Sequence, residues 1–225
     1  MRRAILAEFL GALLLAAAVI GSGIMAERLS GGNSAVALIG NTLATVAVLA
    51  VLIATFGPVS GGHFNPVVTL ASRLQQYMVP RQVAIYLLAQ VGGCCAGAML
   101  ANAMFGHPIT EAGTQVRAGA GQWLGEFIAT SGLVLVAFSS PSIKEASWRV
   151  PAWIAGAYWF TSSTSFANPA ITIGRALTDS FAGIRPSDVP AFIGAQFAGA
   201  LAGLQVARMF NLIPTPRATR TAIDP

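Results

Sequence analysis

The sequence predicts an all-α membrane protein with six transmembrane helices and two re-entrant half-helices arranged as an inverted repeat. Three observations lead to this prediction: an apolar composition, two Asn-Pro pairs that each begin a short helix, and motifs that occur twice. Of the 225 residues, 55% are hydrophobic and 9% are charged, whereas about 25% of residues in soluble domains are charged. The composition therefore indicates a protein embedded in a lipid bilayer.

Six stretches are apolar enough to span a bilayer, whose hydrocarbon core of about 30 Å requires about 20 apolar residues in a helix. These stretches are Ala4–Met25, Ser34–Phe56, Gln82–Phe105, Gln122–Phe138, Val150–Ser163 and Val189–Phe210. The fifth is short, and we expect it to start earlier, near Ala146. One transmembrane domain is expected over residues 1–212, followed by a cytoplasmic tail over residues 213–225.

Two Asn-Pro boxes, Asn65-Pro66-Val67 and Asn168-Pro169-Ala170, each predict the start of a helix. Asn is a preferred N-cap, and Pro is favoured at the first helical position. The predicted helices end near Arg73 and Leu177, so each rises about 12 Å and cannot cross the membrane alone. Irregular backbone at that depth is tolerated only where protein surrounds it or where it lines a cavity.

The chain contains an internal repeat, over residues 4–105 and 122–210. The segment around Glu8 (Ala7-Glu8-Phe9) recurs around Glu126 (Gly125-Glu126-Phe127), the Asn-Pro box recurs, and the segment around Gln90 recurs around Gln196. Each half has three spans, an odd number, so the second half enters the membrane from the opposite side. Such an inverted repeat places the substrate site near the midplane, where the two half-helices begin.

The basic residues give a net charge of +5 but form no patch or helical stripe, so nucleic-acid binding is not expected. Four basic residues fall on one side of the predicted topology: Arg28, Arg117, Arg175 and Arg185. Nine fall on the other: Arg2, Arg3, Arg73, Arg81, Lys144, Arg149, Arg208, Arg217 and Arg220. The positive-inside rule then predicts that both termini are cytoplasmic, in a cell inner (plasma) membrane.

The two box asparagines are the candidate functional residues. If the carbonyl oxygen of each side chain caps its own half-helix, the amide N–H groups are free to face a lumen. The two helix dipoles add positive potential at the same place. This combination repels cations and interrupts a proton-conducting chain of water. Asparagines satisfied within a packed core are the alternative, but that leaves their matching positions unexplained.

These residues resemble the aquaporin (major intrinsic protein) family from Ala4 to Phe210. The match covers both boxes, the Ser-Gly-Gly-His segment before the first box, and the spans that carry Glu and Gln; Val67 stands where the family usually has Ala. The resemblance implies a six-span bundle with one pore per subunit, usually a homotetramer. It also implies a passive channel for water and small uncharged polar solutes, not an enzyme.

The resemblance also assigns structural roles. Backbone carbonyls before each box would line the pore: Gly61, Gly62 and His63 on one side, and Ser165, Phe166 and Ala167 on the other. Glu8 and Glu126 would be buried anchors that accept hydrogen bonds from the re-entrant segments, which agrees with the cost of an unbonded carboxylate in a membrane. His63 would line the pore or brace its loop. Because no second ligand lies at a suitable spacing, neither a metal nor a cofactor is expected.

The selectivity filter is where this chain departs from the family. Carried over by spacing, its four positions are Thr45, Gly156 (Ala157 if the register slips), Ser165 and Ile171. Ile171 stands where the family usually has Arg, so we expect a wider and less charged constriction. Arsenic-resistance-associated bacterial aquaporins resemble this chain in lacking that arginine. Neutral metalloid species such as methylated arsenicals are therefore candidate solutes, beside glycerol-like ones.

Arg175 follows Ile171 by four residues and so lies on the same helical face, one turn further out. Helical side chains lean toward the N-terminus, which would bring its guanidinium near the pore mouth. The alternative is that it bonds carbonyl groups at the end of the half-helix.

Two other functions fit parts of the pattern. A secondary transporter is also built on inverted repeats and broken helices, but coupling needs ionisable residues near the midplane, where only Glu8 and Glu126 qualify. Enzyme chemistry has almost no support, because the two histidines lie in different loops. Cys94 and Cys95 predict no disulfide; they are interpreted as small residues in a helix interface, with binding of a soft metalloid as the alternative.

Overall fold

A computed structural model describes residues 1–213, and within them all regular structure is helical. In chain order the helices are α1 Arg2–Leu29, α2 Ser34–Ser60, α3 Pro66–Leu74, α4 Pro80–Met104, α5 Ala120–Ser139, α6 Ile143–Phe160, α7 Pro169–Arg175 and α8 Val189–Met209. The predicted all-α fold class is confirmed. The predicted tail lies outside the described residues, apart from residue 213.

Five of the described helices (α1, α2, α4, α5 and α8) are long and apolar enough to cross a membrane. The sixth long helix, α6, has 18 residues and includes Lys144, Glu145 and Arg149. It begins at Ile143, three residues before the predicted start near Ala146, because the Ser142 hydroxyl accepts a hydrogen bond from the Glu145 N–H at 3.2 Å and caps the helix. The hydrophobic pattern missed this polar first turn, because it registers only apolar residues.

The two halves of the chain pack in the same way. Helix α1 packs against α4 in the first half, and α5 packs against α8 in the second. Glycines four residues apart line each contact, Gly93 and Gly97 on α4 and Gly199 and Gly203 on α8. A methyl group on any of the four would overlap a backbone carbonyl oxygen of the facing helix. Backbones therefore touch here, as in other membrane helix pairs with small residues at the interface.

The half-helices α3 and α7 each contact both α4 and α8, so each is held by the two halves together. The outer surface of the bundle is apolar, with exposed side chains that include Leu43, Val51, Leu88, Leu124 and Leu201. Apolar side chains on the outside and polar groups inside are what a lipid environment requires.

The segment that joins the two halves, residues 105–119, lies over the end of α7. The Gly113 N–H donates to the Ala176 carbonyl oxygen at 3.1 Å, and the Arg185 N–H donates to the Gln115 carbonyl oxygen at 2.8 Å. Thr114 donates from its hydroxyl and its N–H to Asp179, at 2.7 and 3.0 Å, and these bonds lower the pKa of that carboxyl. The joining segment thus fixes the loop that follows α7.

Candidate functional site

Both box asparagines are N-caps, as predicted. The Asn65 Oδ1 atom accepts a hydrogen bond from the Val67 N–H at 3.1 Å. The Asn168 Oδ1 atom accepts from the N–H groups of Ala170 and Ile171, at 3.0 and 3.3 Å. Each short helix thus begins at its Asn-Pro pair because the side chain satisfies N–H groups that the helix cannot.

The two boxes are also joined directly to each other. The Asn65 Nδ2 atom donates to the Ala167 carbonyl oxygen at 2.8 Å, and the Asn168 Nδ2 atom donates to the Phe64 carbonyl oxygen at 2.9 Å. These crossed bonds bring the N-termini of α3 and α7 together. An amide nitrogen carries two N–H groups, so each asparagine keeps one N–H beyond its crossed bond.

The residue before each asparagine has a strained backbone. The φ angles are +47° at Phe64 and +48° at Ala167, a left-handed conformation that costs non-glycine residues about 1–2 kcal/mol. Both residues are fully buried. Matching strain at matching positions indicates that surrounding hydrogen bonds hold the two segments in place.

Glu8 supplies those bonds in the first half. Its carboxylate accepts from the Ser60 hydroxyl at 2.6 Å, from the N–H groups of His63 and Phe64 at 3.0 and 2.7 Å, and from the Gln90 amide at 2.7 Å. The carboxylate is completely buried. Four donors therefore compensate for its removal from water.

Glu126 plays the same part in the second half. Its carboxylate accepts from the N–H groups of Phe166 and Ala167 at 2.8 and 2.9 Å, and from the Gln196 amide at 2.6 Å. Gln196 also donates to the Thr172 hydroxyl at 2.9 Å, as Gln90 does to that of Thr69 at the same distance. The paired Glu and Gln motifs of the sequence thus form two equivalent anchors.

A cavity of about 480 Å³ extends past both boxes and contains Asn65 and Asn168 in its wall. The residues predicted to present carbonyl groups also line it, namely Gly61, Gly62, His63, Ser165, Phe166 and Ala167. One carbonyl group is partly occupied, since the Ala167 oxygen accepts the crossed bond from Asn65.

His63 lines the cavity and braces its loop at the same time. Its Nδ1 atom is 3.0 Å from the Thr69 hydroxyl, and its ring meets the Tyr86 ring edge-on with 5.8 Å between the centroids. Both interpretations made from the sequence are therefore compatible with its position. In the described part of the chain, no three His, Cys, Asp or Glu side chains are grouped as metal ligands would be.

Three of the four predicted filter residues, Thr45, Ser165 and Ile171, line the cavity, and Gly156 does not. Gly156 is exposed on the outer side of α6, and the alternative Ala157 is buried away from the cavity. Helix α6 contributes Tyr158 instead, whose hydroxyl is 3.4 Å from the Thr45 hydroxyl. Two residues correspond to about 200° of rotation around a helix, so the position carried over by spacing lies on the face of α6 opposite to the cavity.

Arg175 lines the cavity and is 2% exposed. Its Nε atom donates to the carbonyl oxygen of Ala182, in the loop after α7. Its Cζ atom lies 3.3 Å from the centroid of the Phe166 ring. The position of Arg175 is therefore compatible with both alternatives from the sequence, since it bonds a carbonyl group and borders the cavity.

Cys94 and Cys95 are both free thiols. The Cys94 thiol is buried, 3.7 Å from the Ala12 carbonyl oxygen in the contact between α1 and α4. This position agrees with the interpretation of the pair as small residues in a helix interface.

Comparisons with known proteins match most of the chain. A family model described as "Major intrinsic protein" matches residues 1–161. Aquaglyceroporin AqpS of Rhizobium meliloti (strain 1021) is 45% identical over 210 residues, 92% of this chain and 90% of the relative. Aquaporin TIP4-4 of Zea mays is 30% identical over 216 residues, 90% of this chain and 84% of the relative.

Among solved structures, the X-ray structure of the aquaglyceroporin from Plasmodium falciparum superposes with a TM-score of 0.68 at 20% identity, covering 93% of this chain and 95% of that one. At this identity the match concerns the fold. The family model and the 45% identical relative decide the family. This multi-pass membrane protein belongs to the major intrinsic protein family, whose members are passive channels and not enzymes.

Proposed function

We propose that this protein conducts water and small uncharged polar solutes passively through the cavity between its two halves. The observation that supports this function is the crossed pair of asparagines at the facing ends of two half-helices, inside that cavity. Each asparagine caps its own half-helix and bonds the other box, and these contacts hold its side chain in the cavity wall.

The fixed asparagines act on every molecule that passes between the two boxes. Their remaining N–H groups are donors, so a passing water or hydroxyl oxygen accepts hydrogen bonds at this point and cannot also relay a proton. The N-terminal ends of α3 and α7 contribute positive potential at the same point. Both features oppose the passage of cations and protons at this point, while neutral molecules that offer an oxygen are accepted.

Passive flow fits the buried carboxylates better than coupled transport does. Ion-coupled transport requires an intramembrane acid that can gain and lose a proton or an ion. Glu8 accepts four hydrogen bonds and Glu126 accepts three. These bonds fix the re-entrant backbone, so releasing a carboxylate would break the pore structure.

The constriction that we assign to Thr45, Tyr158, Ser165 and Ile171 favours small neutral molecules with hydroxyl groups. Its hydroxyls supply both donors and acceptors, and Ile171 supplies an apolar wall. The 45% identical relative is named an aquaglyceroporin, which supports glycerol-like solutes. Neutral metalloid species such as methylated arsenicals have the same features, a small size, no charge and polar oxygen, and are the more specific candidates.

The assembly that we propose is a homotetramer in the inner membrane, with both termini in the cytoplasm and one pore in each subunit. The basic residues support this orientation, because Arg28, Arg117, Arg175 and Arg185 all lie at the end of the bundle that bears residues 105–119. Arg208 lies at the other end, bonded to the Leu74 carbonyl oxygen. We also infer that residues 1–212 form one transmembrane channel domain, with a cytoplasmic tail after it.

Stopped-flow light scattering of proteoliposomes tests the proposal, with water, glycerol, urea and neutral methylated arsenicals as solutes. We expect faster water and glycerol flux than in empty liposomes, linear in the concentration gradient and independent of an imposed ion gradient. In the Ile171→Arg variant, a long charged side chain enters the constriction, so glycerol flux should fall more than water flux.

The matched control is Val36→Arg, at an exposed position on the outer surface of α2 near its end. It should leave the ratio of glycerol to water flux unchanged. Saturable uptake that follows an ion gradient would contradict a channel, and an equal loss of both fluxes in Ile171→Arg would remove Ile171 from the constriction.

A further inference from the structure

Among the described residues that line the cavity, Arg175 is the one with a permanent charge. It is 2% exposed, and a charge at such a site is retained in membrane proteins mainly where it faces a cavity or a partner. The ion pair within residues 1–213 joins Arg185 and Asp188 and does not involve Arg175. The positive charge of Arg175 is therefore not neutralised by a carboxylate in direct contact.

The guanidinium group is held rigidly beside the cavity. The Ala182 carbonyl oxygen accepts from its Nε atom, and the Phe166 ring lies against its flat face, with 3.3 Å between Cζ and the ring centroid. Arg117 approaches the same ring, with its Cζ atom 5.0 Å from the centroid. Arg117 is itself fixed, because its Nε atom donates to the Gly183 carbonyl oxygen at 2.7 Å.

Two buried polar atoms that belong to cavity-lining residues have no hydrogen-bond partner within the protein. They are the Nη1 atom of Arg175 and the hydroxyl oxygen of Ser165, and both residues line the cavity. Leaving a buried donor unpaired costs about 1–3 kcal/mol, and more when the donor is charged. An arrangement that leaves a guanidinium donor and a hydroxyl unpaired in one cavity wall is suited to a ligand that supplies an oxygen.

We propose that Arg175 sets the selectivity of the channel, with Ser165 as its partner: its charge excludes cations, and its free N–H donates to an oxygen of a neutral hydroxylated solute. The proposal rests on the channel function proposed above. A solute hydroxyl can accept from Arg175 and exchange a hydrogen bond with Ser165. Its carbon atoms then face Ile171, which lies one helical turn further in on the same face of α7.

Three variants separate the two parts of this role from a purely structural one. Arg175→Met removes charge and donors, Arg175→Lys keeps the charge, and Ser165→Ala removes only the hydroxyl. Water flux, glycerol flux and proton entry under a potassium diffusion potential are measured on the same proteoliposomes. Arg28→Gln is the control, since it removes a positive charge from an exposed side chain at the same end of the bundle.

In Arg175→Met we expect proton entry to rise at least about tenfold, because a charge a few ångströms from a narrow passage is weakly screened. The ratio of glycerol to water flux should fall about tenfold, as expected for the loss of one hydrogen bond to a charged donor. Arg175→Lys should keep protons excluded. Ser165→Ala should lower only the flux ratio, and Arg28→Gln should behave as wild type.

Equal loss of water and glycerol flux in all three variants, without proton entry, would mean that Arg175 is only a brace, and would overturn the proposal. If Arg175→Met does not assemble, an unchanged flux ratio in Ser165→Ala, or proton entry in Arg175→Lys, would overturn it as well. If liposomes that contain the wild-type protein show no more water or glycerol flux than empty liposomes, the channel function itself is contradicted. The failure of this proposal and the failure of the channel function are therefore distinguishable.

Discussion

At the scale of single residues, the asparagines of the two boxes act as acceptors and donors at once. The Oδ1 atom of Asn65 caps α3, while its Nδ2 atom reaches the other half of the protein at the Ala167 carbonyl oxygen. Asp is as good an N-cap as Asn but lacks the donor. A single substitution can therefore separate the two functions of the side chain.

We expect Asn65→Asp to destabilise the protein by about 1–3 kcal/mol, because a carboxylate oxygen would then face the Ala167 carbonyl oxygen and the crossed bond would be lost. Thermal unfolding in detergent, followed by circular dichroism, measures the effect.

The matched control is Asn33→Asp. Asn33 caps α2 through the same atom, which accepts from the N–H groups of Ala35 and Val36 at 3.0 and 3.3 Å, but it lies at an exposed end. This variant should unfold within a few tenths of a kcal/mol of wild type, as surface changes usually do. Equal destabilisation of the two variants would mean that capping, and not the crossed bond, is what Asn65 contributes.

At the scale of helices, the glycines between α1 and α4, and between α5 and α8, determine how closely the helices within each half pack. A methyl group at Gly97 would overlap the Leu13 carbonyl oxygen, and one at Gly203 would overlap that of Ser131. Helix propensity acts in the opposite direction, since Ala is favoured over Gly inside a helix by about 1 kcal/mol. The outcome of a Gly→Ala change therefore reports which of the two effects is larger.

We expect Gly203→Ala to lower the melting temperature, because overpacking a close helix contact costs about 1–3 kcal/mol and exceeds the gain in propensity. Gly194→Ala, on the same helix but with no atoms near its substituted position, should be neutral or stabilising. Thermal unfolding of both variants and of the wild type in the same detergent tests this prediction. A melting temperature of Gly203→Ala at or above that of the wild type would mean that the helices separate at little cost.

The helices also show how much of the fold could be predicted from the sequence alone. The Asn-Pro pairs fixed the starts of α3 and α7, because capping is a local interaction between neighbouring residues. The start of α6 was predicted only approximately, near Ala146 instead of Ile143, since Lys144 and Glu145 are polar and its cap is a single hydroxyl. The choice of Gly156 instead of Tyr158 had a different cause: which face of a helix meets a cavity depends on the rotation of that helix, and spacing along the chain does not define it.

At the scale of the whole molecule, the inverted repeat provides each part of the site twice. The Glu and Gln anchors, the strained residue before each box and the crossed asparagine bonds all occur in pairs. The repeat of the anchors could be predicted from the sequence, because the motifs are similar. The crossed bonds could not, because they join residues about a hundred positions apart and depend on how the halves meet.

The inverted repeat also makes a prediction about the membrane. One span, α5, separates Thr110 in the joining segment from Lys144 in the first turn of α6, so these two exposed positions lie on opposite sides. In a background where Cys94 and Cys95 are replaced by Ala, we expect Thr110→Cys to react with a membrane-impermeant maleimide added to intact cells. Lys144→Cys should react only after the membrane is permeabilised.

The physical reason is that the topology predicted from the sequence puts nine of the thirteen basic residues on the side of Lys144, and the positive-inside rule keeps such residues in the cytoplasm. Labelling of Lys144→Cys alone in intact cells would reverse the orientation while preserving the inverted repeat. Labelling of both positions from outside would mean that α5 does not cross the membrane, and the two half-helices could not then enter from opposite faces.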